Sequence, residues 1–295
     1  MGWVGLVVWY SSVCEYIYRL RLLTIVLSKS FSQSVFSVLL SDSTNMENVK
    51  SPAATEIEPN NMVADDFNES ENNEDKEGTY KYPAMNITLG RFRLRVVEGQ
   101  FSDSEVIVLL GKNATGKTTF IRMLAGLLKA DTVDVKMPVF NVSYKPQMFD
   151  LQVPTTVRCL LNEQIPDACT LPQFVSDVME PLLINQLMDQ EVMELSSAEL
   201  QKLALCLCLG KPADIYVIDG LSTHLGPEQA NFVAQVVKKF FLGAKKTAFV
   251  AEDNMSIANY LATRVIVFEG KPSITCTAHS PESLLSGMSS FLSAP

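Results

Sequence analysis

The chain has 295 residues, 47% of them apolar and 19% charged, which excludes a disordered or fibrous protein and allows a full-sized core in one or two domains. Its formal net charge of −9 is unevenly spread: residues 1–41 carry +2, residues 42–79 carry eleven carboxylates against Lys50 and Lys76, and residues 80–295 carry only −2. The acidity belongs to one segment and argues neither for nor against a polyanionic partner.

Residues 1–41 read as an apolar N-terminal extension of unknown role. Its longest uncharged windows, Met1–Cys14 and Ser30–Ser41, fall short of the roughly 20 residues that span a bilayer, so no stable membrane insertion is expected. An organelle transit peptide, a membrane-associated segment and an unstructured extension all remain open. Residues 42–79, rich in Asn, Glu, Asp and Ser, read as an acidic disordered linker.

From Tyr80 the pattern changes to short strands alternating with helices, and residues 80–292 form the expected domain. In Arg91–Val97 the apolar Phe92, Leu94 and Val96 share one face and three arginines the other, the mark of a half-exposed strand. Val106–Leu110, Ile215–Ile218, Thr247–Ala251 and Val265–Phe268 are continuous apolar runs, rich in β-branched residues and too short for helices, as strands covered on both faces should be. Phe120–Leu128 has a helical pattern. The layout is α/β with a central sheet. Six cysteines without a C-x-x-C pair, and only His224 and His279 as imidazoles, fit a reducing, cytoplasmic setting and give no zinc-ligand spacing.

The chemistry begins directly after Val106–Leu110. Gly111-Lys112-Asn113-Ala114-Thr115-Gly116-Lys117-Thr118-Thr119 satisfies G-x-x-x-x-G-K-[ST] between a strand and a helix. In such a loop the backbone N–H groups turn around phosphate oxygens, the lysine reaches the β and γ oxygens, and the hydroxyl after it ligates Mg²⁺. Lys117 and Thr118 take those two roles here. Ile215–Asp219 is an apolar strand that ends in a carboxylate, where a Walker-B aspartate holds the metal. Between the two motifs, Ser196 and Glu199 in Leu195-Ser196-Ser197-Ala198-Glu199 form a capping box that opens a helix.

The P-loop, Gln147 within Tyr144-Lys145-Pro146-Gln147, the capped 195–199 segment and Asp219 occur in the order of an ATP-binding-cassette domain. The runs Phe120–Gly126, Asn141–Gln147, Leu209–Asp214 and Arg264–Phe268 resemble the second nucleotide-binding domain of the ABC subfamily E ATPases, the RNase L inhibitor or ribosome-recycling family, over residues 80–292. The resemblance implies an ABC-type P-loop NTPase fold, with a central mixed sheet and a helical subdomain. It also implies ATP and Mg²⁺, with Thr118, Gln147 and Asp219 at the metal, and the ribosomal small subunit as a partner in translation termination. Family members pair two cassettes head to tail, the signature loop of one closing over the phosphates of the other. A second nucleotide-binding domain, from a homodimer or a full-length relative, is therefore expected.

The chain departs from the family pattern where bonds are cut. Gly220 stands at the catalytic glutamate position, Asp253 at the switch histidine, and Gly226 at the D-loop aspartate. The signature L-S-G-G-E reads Leu195-Ser196-Ser197-Ala198-Glu199, and Ala114 replaces a common P-loop glycine. The family's first cassette and iron-sulfur cysteines have no counterpart, so no iron-sulfur cluster is expected, and the family sequence continues beyond Pro295. Glu252 is a conceivable substitute base, and Tyr82 and Phe92 are the candidates for stacking on adenine. The expectation is Mg-ATP binding with weak or no hydrolysis. An active ATPase completed by a partner cassette, or the cytosolic ATP-binding subunit of a transporter, is the alternative.

Overall fold

A computed structural model describes residues 78–131, 140–149 and 154–293. The N-terminal extension and all but the last two residues of the expected acidic linker lie outside the described residues. The described chain opens with β1 (Thr79–Tyr82), β2 (Met85–Leu89), β3 (Phe92–Val96) and β4 (Gly99–Ser102), then β5 (Val106–Leu110), α1 (Lys117–Leu124) and β6 (Val142–Lys145). A helical segment follows, beginning with α2 (Val157–Gln164), continuing through short helical turns, and ending in α3 (Ser197–Gly210). The remainder is β7 (Ile215–Asp219), α4 (Pro227–Ala244), β8 (Thr247–Ala251), α5 (Met255–Leu261), β9 (Arg264–Lys271), β10 (Thr275–Ala278), β11 (Glu282–Ser283) and α6 (Leu284–Ser293).

The main sheet is mixed, in the order β2-β3-β10-β9-β5-β8-β7-β6, with β11 paired to β9. Strands β9, β5, β8, β7 and β6 run parallel, so the loops leaving their C-terminal ends gather along one edge. β1 and β4 form a separate antiparallel pair.

Alternation along the buried strands divides their side chains between two cores. Val106, Val108 and Leu110 of β5 join Tyr216, Ile218, Val250 and Val267 on the face covered by α3 and α4. Ile107 and Leu109 join Val217, Phe249, Ile266 and Phe268 on the face covered by α1 and β1–β4. Both faces are therefore dry, which is why these strands are apolar at nearly every position. β3 is wet on one side: Arg93 and Arg95 are exposed while Leu94 and Val96 are buried. Its pairing with β2 and β10 accounts for the alternation seen in sequence.

Helix α1 starts and stops earlier than its apolar pattern suggests. Lys117, Thr118 and Thr119 form its first turn, and it ends where the Gly126 N–H bonds back to Met123 O and the Leu127 N–H to Arg122 O. Phe120, Ile121, Met123 and Leu124 are buried against the sheet, each contributing roughly 1.5–3 kcal/mol relative to an exposed side chain. That packing fixes the helix whose first turn carries the functional side chains.

Candidate functional site

The turn between β5 and α1 curls over the C-terminal ends of β5, β8 and β7. Gly116 sits at φ +103°, and a Cβ there would press on the ring of Phe92 and the methyls of Leu94, so only glycine lets the chain enter the helix at this spacing. The Thr115 hydroxyl donates to Lys112 O at 2.8 Å, and the Ser273 N–H, from the turn between β9 and β10, donates to Ala114 O at 3.0 Å. The loop is therefore held by its own side chain and by a neighbouring hairpin. Ala114 has φ +60°, a left-handed conformation that is strained for a residue with a Cβ.

A cavity of about 450 Å³ opens over this loop. Asn113, Ala114, Thr115, Gly116, Lys117, Thr118 and Thr119 line it from the loop and α1. Phe92 lines it from β3, and Gln147, Asp219, Gly220 and Asp253 from the ends of β6, β7 and β8. Gly111 and Lys112 lie outside this lining. Of the two aromatics named for adenine, only Phe92 reaches the cavity. Tyr82 is 1% exposed and packs edge-on against Phe120, because β1 pairs with β4 over the core rather than beside the loop. Burial raises the Tyr82 phenol above its ordinary value.

Lys117 Nζ lies 2.6 Å from Gly111 O, 3.2 Å from Lys112 O and 2.9 Å from Asp253 Oδ1. Asp219, at the end of β7, accepts from the Thr118 hydroxyl at 3.1 Å through Oδ1. Its other oxygen, Oδ2, is buried without a hydrogen-bond partner. Burial raises the carboxyl of Asp219 above the usual carboxylate range, against the bond from Thr118 and the charges of Lys145 and Lys117. A partnerless buried carboxylate oxygen beside a threonine hydroxyl suits a hard divalent cation, so the donor set of Thr118 and Asp219 fits Mg²⁺. Gln147 lines the same end of the cavity. A bound Mg²⁺ would neutralise phosphate charge and hold its oxygens.

Glu252 is buried and fully engaged. Its Oε2 accepts from the Ser222 N–H at 3.0 Å, and its Oε1 from the Ser222 hydroxyl at 2.7 Å and the Asn254 N–H at 2.8 Å. It ties the loop after β7 to the end of β8 and does not line the cavity. Gly220 offers no side chain, and at φ +66° its position disfavours any.

Ser196 and Glu199 form the expected capping box at the start of α3: the Glu199 N–H donates to Ser196 Oγ at 3.4 Å, and the Ser196 N–H to Glu199 Oε2 at 2.8 Å. Leu195 is buried, Ser196 and Ser197 are exposed, and none of the residues 195–199 lines the cavity. Gly226 caps α4 without a side-chain bond. His224 is exposed against Met148, and His279 faces Glu269.

Two residues to which the sequence assigned no role support the site. Lys145 is 1% exposed, and its Nζ donates to Pro146 O, Asp219 O and Gly220 O at 3.1, 3.4 and 3.1 Å. It fastens the end of β6 to the strand end that bears Asp219. Burial pushes its ammonium down to about 8. Gln201, buried on α3, donates to Gln147 O at 2.9 Å and so couples the capped helix to the cavity's rim. Neither leaves a signal in a single sequence: each is one polar residue beside an apolar run, and only the packing shows what it holds.

The family model for ABC transporter matches residues 94–222. The chain is 55% identical over 234 residues to ABC transporter E family member 1 of Arabidopsis thaliana, covering 77% of this chain and 39% of that protein. It is 49% identical over 176 residues to ABC transporter E family member 3 of the same plant, covering 58% of this chain and 97% of that protein. Among solved structures, the complex of archaeal ribosomal stalk protein aP1 and archaeal ribosome recycling factor aABCE1 matches with a TM-score of 0.70 at 34% identity, covering 77% of this chain and 44% of that one. The chain spans little more than a third of the length of the longer curated relatives it matches.

Proposed function

This chain belongs to the ABC transporter E family, and on that premise we propose that its described domain binds Mg-ATP and cleaves it slowly or not at all. The observation that carries this reading is the contrast within one cavity. Lys117, Thr118 and Asp219 stand where phosphate and metal would be held, while the positions that would activate water and stabilise the transferring phosphoryl are Gly220 and Asp253. Loss of a positioned base costs on the order of 10² to 10⁴ in rate, and loss of charge stabilisation is comparable.

Of the residues the sequence assigned to nucleotide, Phe92 and Asn113 through Thr119 border the cavity and support this reading, while Gly111, Lys112 and the buried Tyr82 lie outside its lining. The exposed Ser196 and Ser197, away from the cavity, support a role for that segment toward a second cassette rather than toward this chain's own nucleotide. Similarity to an archaeal ribosome recycling factor supports a place at the ribosome, and the small subunit is the partner that the family resemblance implies. Among the described residues no helix is long and apolar enough to cross a membrane.

The test is calorimetric binding of Mg-ATP to the full chain, paired with phosphate release and co-sedimentation with small ribosomal subunits. Saturable binding that Lys117→Ala weakens by about 100-fold or more is expected, with turnover at background. A robust hydrolysis rate that Lys117→Ala abolishes would overturn the non-cleaving part.

A further inference from the structure

Inside the cavity the Lys117 ammonium already has an anion. Its three N–H donors are matched by Gly111 O, Lys112 O and the Asp253 carboxylate, the last at 2.9 Å. The two partners differ in freedom: the Lys117 side chain is 10% exposed, whereas that of Asp253 is 57% exposed. We propose that Asp253 is a built-in competitor for the third phosphate, so that this chain selects adenosine diphosphate over the triphosphate. The proposal rests on the reading of the loop as a phosphate site and adds the residue that sets its specificity.

Strand order decides which end of a nucleotide Asp253 meets. Phe92 lies on β3, three strands from β5 on one flank, while Asp253 follows β8 and Asp219 ends β7 on the other. With the base on Phe92, the phosphates run across the Gly116–Thr119 amides toward the carboxylates. A diphosphate ends over the loop. A third phosphate would bring further negative charge into the space that Lys117 and Asp253 share.

A histidine there would offer a proton, but a carboxylate only accepts, as do phosphate oxygens. The two anions contend for one ammonium, because Lys117 is the only cation among the described residues lining the cavity. Lys145 is committed to three carbonyls nearby. Glu252, the neighbouring carboxylate, is fully engaged with Ser222 and Asn254 and adds no positive charge. A Mg²⁺ held by Thr118 and Asp219 would neutralise part of the phosphate charge, while Asp253, which lines the same cavity, would keep its own negative charge there.

The experiment titrates the full chain with ADP and with the magnesium complex of the non-cleavable adenylyl imidodiphosphate, so that hydrolysis does not enter. Wild type is expected to bind ADP about tenfold or more tightly than the triphosphate analogue, a like-charge contact of this strength corresponding to at least one decade. Asp253→Asn, which keeps shape and removes charge, should bring the ratio to within about threefold, chiefly by strengthening the triphosphate. Asp253→Ala should do the same, and melting curves verify that both variants fold. Parity in wild type, or a preference unchanged in both variants, overturns the inference and leaves the phosphate-site reading standing. Absence of binding by any nucleotide to wild type and both variants overturns the two together.

Discussion

The loop after β5 and the loops after β7 and β8 share one edge of the sheet, yet they use their polar groups differently. The first loop leaves Thr118 and the tip of Lys117 at a cavity. The others turn their carboxylates and backbone inward: Glu252 binds Ser222 and Asn254, Lys145 binds the carbonyls of Asp219 and Gly220, and Asp253 closes on Lys117. The difference teaches that a site for holding phosphate needs backbone amides and one cation, which the turn itself supplies. A site for cutting it needs a free base at a set distance. Here the groups next to Asp219 hold the fold together instead.

The largest effect is expected from putting a glutamate back. Gly220 lies at φ +66°, and a Cβ there would collide with Thr223 Oγ1 and crowd Gln147. Left-handed backbone costs a side-chain-bearing residue roughly 1–2 kcal/mol, and the collision adds to it. Gly220→Glu is expected to lower stability by about 2–3 kcal/mol in denaturant melts, and Gly220→Glu with Asp253→His to regain little hydrolysis. Thr223→Ala should recover the steric share and leave the backbone share, giving a non-additive double-mutant cycle. An unchanged melt for Gly220→Glu would mean that this loop readily adopts another conformation and that cleavage is one substitution away.

A smaller effect separates clamp from cradle. Lys145→Met deprives three buried or half-buried carbonyls of their donor, and a loss of about 2 kcal/mol is expected at neutral pH. Nucleotide affinity should weaken in parallel, because Asp219 is held by the same contact. The pH dependence has a definite sign. Burial lowers the Lys145 ammonium to about 8 from its ordinary 10.5, so between those values the unfolded chain binds the proton that the folded chain has released. Stability therefore rises with pH across that window. The gap between wild type and Lys145→Met should widen there by about 1.4 kcal/mol per pH unit at most, as measured by chemical melts at pH 7.5 and 9.5. A gap that narrows would show the lysine to be stabilised as a cation instead.

The parts of the molecule written in local patterns were legible beforehand. Val106–Leu110, Ile215–Ile218 and Ala248–Ala251 announce doubly covered strands because residues covered on both faces must be apolar. The capping box at Ser196 is readable because its partners are three residues apart. What failed to show depends on distant pairing. Tyr82 and Phe92 look equivalent in sequence, but β1 turns to β4 and buries the first, while β3 lies under Gly116 and leaves the second at the cavity. The contact between Lys117 and Asp253 joins residues far apart in the chain. The Gly111–Thr119 motif names the lysine but says nothing of the anion that meets it.

The smallest expected effect lies in the cradle itself. Ala114 holds φ +60°, with its carbonyl accepting the Ser273 N–H at 3.0 Å, so the loop keeps the glycine-like conformation with a residue that strains to adopt it. Ala114→Gly relieves roughly 1–2 kcal/mol of backbone strain and gives back part of it as unfolded-state entropy. A net gain of about 0.5–1 kcal/mol is expected in chemical melts. Because the exposed Ala114 methyl makes none of the cradle's hydrogen bonds, ADP affinity should change by less than about threefold. A stabilised protein with unchanged affinity would show a loop already shaped for phosphate. Affinity gained tenfold would show instead that the alanine is a fifth departure bearing on function, and that the cradle has also drifted from its purpose.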